Sequence, residues 1–146
     1  MTIHEVAAWV GCRTDHALRE RGAAKPVALF IAEHRSALMN AACLLGGRDA
    51  SAKVERLAER LREECRLTRS ARAMLDQLLA LLMLEHVHDP ERPEAAYFVL
   101  IDPADPVVAE ICLLTDGLRD AMAEADALMA EDRPAEPAEE PTAEAA

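Results

Sequence analysis

From Ser51 to His88 the chain runs without a glycine or a proline, and no other stretch keeps a helical apolar pattern for so long. Apolar or small residues recur at Val54, Leu57, Ala58, Leu61, Cys65, Thr68, Ala71, Leu75, Leu78, Leu79 and Leu82. That spacing lays one stripe along one side of a helix. The segment is therefore predicted to be a long central helix or two helices in tandem. Continuous, it would reach about 55 Å, more than a compact domain of 146 residues needs. Two outcomes remain open. The helix breaks near Thr68 to Ser70, where hydroxyl side chains compete for backbone groups, or it stays straight and only a second copy can cover its stripe. The second outcome is a homodimer, which two-fold symmetry would build with Leu57, Leu61, Leu75 and Leu78 near the axis.

The remainder of the chain is also read as helical. Hydrophobic residues make up 51% of it but aromatic residues only 3%, and alanine supplies about a fifth. Alanine and leucine favour helix, while β-branched and aromatic residues, which favour strands, are scarce. The expectation is an all-α bundle of four or five helices, a single helical domain over residues 1–130. Residues 131–146, rich in Glu, Pro and Ala, lack apolar periodicity and are expected to form a disordered acidic tail. In chain order, Thr2 to Glu5 has the form of a capping box, opening a helix on Val6, Ala7, Trp9 and Val10. Gly11 interrupts it, and a second short helix ends near Gly22. Pro26 suits the first turn of the next helix, and Gly46-Gly47 ends it. Its apolar face comprises Val27, Phe30, Ile31, His34, Leu38, Ala41, Leu44 and Leu45. Asp49 or Ser51 then caps the long segment, and much later Asp105 caps a final helix with Pro106 in its first turn. Val107, Val108, Ile111, Leu114, Leu118, Met122 and Met129 form the stripe of that helix. Between the two, four prolines bracket the strand-like run from Ala95 to Ile101. No second segment could pair with it as a strand, so it is read as a short helix from Pro93, or an irregular lid, over the open end of the bundle. The alternative is pairing through Tyr97 and Phe98 with the same run in another subunit.

A formal charge of −11 argues against a surface given over to nucleic acid or to an anionic membrane. The N-terminus has no secretory pattern, and the longest apolar run, Leu78 to Leu84, is far short of a bilayer span. A soluble, cytoplasmic protein is expected. The preference for arginine over lysine is associated with GC-rich bacterial genomes. Cys12, Cys43, Cys65 and Cys112 form no C-x-x-C pair, so they are read as reduced thiols buried beside apolar helical positions.

The motifs with chemical content are few. Residues 85–91, EHVHDPE, hold the densest set of metal-ligand types. Glu85 and His88 have the spacing used in di-iron bundles, but no second such pair exists in the chain. Glu85, His86 and His88 at a helix end, and His34 on an apolar face, are the only metal candidates, and neither a metal nor a cofactor is expected. Gly46-Gly47-Arg48-Asp49 follows a helix and lacks the lysine of a phosphate-binding loop. Within residues 2–22, the Ala7 to Gly11 spacing with Ile3, Val6 and Val10 around it loosely resembles the first half of a helix-turn-helix; in the poorer second half Arg13, Arg19 and Arg21 would meet phosphates beside Asp15 and Glu20. In the first half of the long segment, arginines alternate with glutamates that neutralise them as helical neighbours. No catalytic constellation is present. The expectation is a non-enzymatic interaction or regulatory module that binds another protein or itself. A DNA-binding regulator and a metal- or small-ligand-binding bundle are the alternatives.

Overall fold

The computed structural model describes residues 21–131, and over these the protein is all-helical. The capping box, the helix-turn-helix segment up to residue 20, Cys12, Arg13, Arg19 and the tail from 132 lie outside the described residues. Helix α1 occupies residues 21–33. It is followed by α2 (Arg35–Glu64), α3 (Arg69–Leu82), α4 (Pro93–Phe98) and α5 (Pro106–Glu131).

Two boundaries near the start differ from the sequence reading. Gly22 does not end a helix, because residues 21–33 are continuously helical, and Pro26 lies inside that helix rather than in its first turn. The ring costs α1 the bond that a residue-26 amide would make to the Gly22 carbonyl. Burial of Ala23, Ala24, Val27 and Ile31 holds the helix together across the gap. A single non-helical residue, His34 (φ −107, ψ 17), separates α1 from α2. The backbone bonds His34 N to Phe30 O at 3.0 Å and Leu38 N to His34 O at 2.8 Å carry the chain through the bend.

Helix α2 is one element by name and two arms in space. Gly47, at φ 76 and ψ −166, occupies backbone territory open almost only to glycine, and here the chain turns back on itself. Arg35 and Glu55 show by how much. In a straight helix they would stand about 30 Å apart, yet the guanidinium reaches the carboxylate at 3.2 Å. The connector expected at Gly46-Gly47 is thus present as a one-residue hinge between antiparallel arms.

The long Ser51–His88 pattern is not a straight helix. Its first part ends at Glu64, and Cys65 adopts a left-handed conformation (φ 49). Thr68 then caps α3, its hydroxyl accepting a bond from Ala71 N at 3.1 Å. Helix α3 returns along the second arm of α2. Arg60 fastens the return, contacting the Ser70 hydroxyl, the Met74 sulfur at 3.7 Å and Glu64 at 3.6 Å. By its end α3 has come back to the hinge, where a side-chain carbon on Gly46 would lie 3.3 Å from Leu81.

Helix α5 closes the bundle, its start held by Asp105, which accepts from Val107 N at 3.0 Å. It packs on α3 at two points. Arg72 clasps Asp126 through both carboxylate oxygens, one of them at 2.9 Å. The buried Thr115 hydroxyl donates within α5 to Ile111 O at 2.7 Å and lies 3.4 Å from Leu82 O. On the other side α5 meets α1, where a side-chain carbon on Gly117 would stand 2.5 Å from the Phe30 ring, so a larger residue there would have to displace the ring. Val27, Ile31, Leu38, Leu45, Val54, Leu57, Leu61, Leu75, Leu78, Leu82, Leu114 and Leu118 form one connected core. Each such side chain contributes roughly 1.5–3 kcal/mol by leaving water. Most of the predicted stripe residues are in it; Leu44 and Met129 are instead 43% and 40% exposed.

The thiols are a correction. Cys43, Cys65 and Cys112 are free, but all three are exposed. Cys43 follows the buried pair Ala41 and Ala42 and Cys112 follows buried Ile111, one step round the helix from the core face, and Cys65 sits in the turn. No helix among the described residues is long and apolar enough to cross a membrane.

Candidate functional site

The strand-like run predicted between the prolines is helix followed by turn. Pro93 opens α4, whose six residues include none that is buried. Proline at the first position and Glu94 in the first turn both suit a helix start. What fixes so short a helix is Tyr97. Its hydroxyl and ring lie over the hinge, so near that a side-chain carbon on Gly47 would come within 2.5 Å of the hydroxyl oxygen. Glycine therefore serves twice at 47, supplying the backbone angle and leaving room for the tyrosine.

Beyond Tyr97 the chain turns tightly, with Leu100 N bonded to Tyr97 O at 3.1 Å and Ile101 N to Phe98 O at 3.2 Å. The turn pushes apolar side chains outward. Tyr97 and Phe98 are each 37% exposed, Val99 80% and Leu100 81%, while Ile101 turns back against the core. The result is an apolar knuckle beside the hinge.

Beside α4 lies a groove of about 510 Å³ between the second arm of α2 and α3. Buried Val54, Leu57 and Leu78 form its floor, and Met74 and Leu81 add partly covered apolar surface. Lys53 and Arg56 stand on the α2 edge, Asp76 and Gln77 on the α3 edge, His86 and Arg92 come from the segment leading into α4, and Glu94 from its first turn. Asp76 is engaged by Arg72 at 3.5 Å. Glu94 is unusual, because its Oε2 is sealed from solvent and accepts no hydrogen bond. A buried carboxylate oxygen without a donor carries a desolvation cost.

The sequence candidates fall into three groups. Leu57, Leu61, Leu75 and Leu78, expected at a self-association seam, are 1%, 2%, 0% and 6% exposed within the chain's own core. The returning α3 covers the stripe that a straight helix would have offered to a second copy. Tyr97 and Phe98 do reach the surface. Among the metal candidates, His34 packs its ring against Phe30 with centroids 4.6 Å apart. Glu85 and His88 are exposed in turns after α3, and His86 is half-buried at the groove. Among the described residues no three His, Cys, Asp or Glu side chains form a group that could hold a metal. Arg21 is exposed on α1, and Arg62, the basic residue in the last turn of α2, complements the carbonyl end of that helix.

The groove was not foreseen. Of the helical-neighbour pairs expected along this arm, Arg60 with Glu64 forms at 3.6 Å, while Arg56 lines the groove. Nothing in the one-dimensional pattern distinguishes a paired arginine from one that faces a groove made by a helix returning from elsewhere. No family model matches the chain, and no curated protein or solved structure shows significant similarity to it.

Proposed function

We propose that this protein is a small non-enzymatic regulatory module that acts by binding another protein chain, and that the knuckle at 97–100 is the point of contact. The observation that supports this is a run of exposed apolar side chains next to a close contact with the hinge. Val99 and Leu100 are 80% and 81% exposed on a turn that follows Tyr97, which lies close over Gly47. Single exposed apolar residues are ordinary, but a contiguous run of large exposed apolar side chains marks a surface for interaction. Because the long leucine stripe is enclosed, a second copy would meet the chain here as well.

The test compares the wild type with Val99→Ser/Leu100→Ser. Both positions are exposed, so the melting temperature should stay within a degree or two. Light scattering over a range of concentrations, together with capture from the native host, reads binding. A doubled mass, or a discrete captured protein, that disappears in the variant is the expected result. Identical behaviour of the two proteins in both measurements would remove the knuckle as an interface.

A further inference from the structure

We propose that the groove between the second arm of α2 and α3 is a binding site for a small amphiphilic anion, an alkyl carboxylate or phosphate. The inference is independent of the knuckle. Its first support is charge. In a chain of net charge −11, this groove gathers Lys53, Arg56 and Arg92, and no carboxylate among the described residues forms an ion pair with any of them. Lys53 and Arg56 are three residues apart on one helix face, an arrangement in which like charges repel, so their juxtaposition is relieved by an anion lying between them. The carboxylates of the groove do not supply it: Asp76 is drawn to Arg72 at 3.5 Å, and the Oε2 of Glu94 is sealed away without a donor.

The second support is the floor. Met74 and Leu81, partly exposed above buried Val54, Leu57 and Leu78, line the groove and give an alkyl chain apolar surface to lie on. A volume of about 510 Å³ falls in the range of small-molecule sites. An inorganic anion would use the cations and waste the floor, and a neutral alkane would do the opposite. Only a molecule with both parts satisfies the groove, the head between Lys53 and Arg56 and the tail along α3.

The experiment uses the full chain and monomeric decanoate, followed by titration calorimetry and by amide shifts in NMR. Decanoate is expected to saturate one site and to bind at least about tenfold more tightly than decyltrimethylammonium, which has the same tail and the opposite charge. Lys53→Gln/Arg56→Gln should weaken decanoate by about tenfold without loss of helical circular dichroism, since both residues are exposed. Glu94→Gln should tighten it severalfold by removing one of the two negative charges in the groove lining. Val99→Ser/Leu100→Ser should leave it unchanged. Equal affinity for the two amphiphiles, indifference to the Lys53/Arg56 change, or loss of binding in the knuckle variant would each overturn the assignment. The last result would place the tail on the knuckle instead.

Discussion

The chain reverses twice around the second arm of α2, and the two reversals are built differently. At Gly47 one residue does everything: its φ of 76 and ψ of −166 are denied to other side chains, and the space it leaves is filled by Tyr97. Between Glu64 and Arg69 no glycine is present. There a cysteine takes the left-handed position at φ 49, and the Thr68 hydroxyl starts the next helix by accepting from Ala71 N. The first turn depends on one backbone conformation. The second spreads its cost over a cap, a mildly strained residue and the Arg60 contacts that draw α3 back. A turn of the first kind fails at a single position, and one of the second kind loses stability in small steps.

That difference is breakable. Gly47→Ala should cost the most, about 2–3 kcal/mol, from the forbidden backbone angle together with expulsion of Tyr97. Denaturant unfolding measures it. Tyr97→Ala in the same background separates the parts, because it removes the collision and leaves the angle. If Gly47→Ala were neutral, the hinge would not be the fixed point described.

At the other turn the effects should be smaller and of opposite sign. Thr68→Ala removes a cap and should cost about 1 kcal/mol. Cys65→Gly removes a side chain from a left-handed position and should stabilise by about 0.5 kcal/mol, the relief of strain slightly exceeding the entropy gained by the unfolded chain. Loss of stability in Cys65→Gly would show that the cysteine is not strained there.

The smallest effect belongs to the clasp between α3 and α5. The hydrogen bond from Arg72 holds the Asp126 carboxyl below the ordinary carboxylate range, and Arg72 is raised in turn, first by that same bond. A depressed folded value stabilises at pH above the unfolded value, and the contribution fades as pH falls through the folded one. With Asp126 55% exposed, solvent screening limits it to about 0.5 kcal/mol or less. The melting temperature of the wild type should therefore exceed that of Asp126→Asn at neutral pH, and the gap should close below about pH 4. A gap that persisted in acid would assign the difference to packing rather than to charge.

Read along the sequence, the periodicity at Val54, Leu57, Leu61, Ala71, Leu75, Leu78 and Leu82 determined the helices and their buried face. Gly46-Gly47, Thr68 and Asp105-Pro106 marked their ends. These are local properties, because backbone angles, capping donors and the period of a helix are set within a few residues. What tertiary structure alone decided is which partner covers each face. The same leucines would serve a straight dimer or a bent monomer, and only the return of α3 encloses them. Pro26 reads as a helix start until core contacts on both sides of it hold a helix through the gap. The outward turn of Val99 and Leu100 and the gathering of Lys53, Arg56 and Arg92 around one groove depend equally on approach from elements distant in sequence. Burial and pairing are properties of neighbours in space, and a helical period specifies a face without specifying what lies against it.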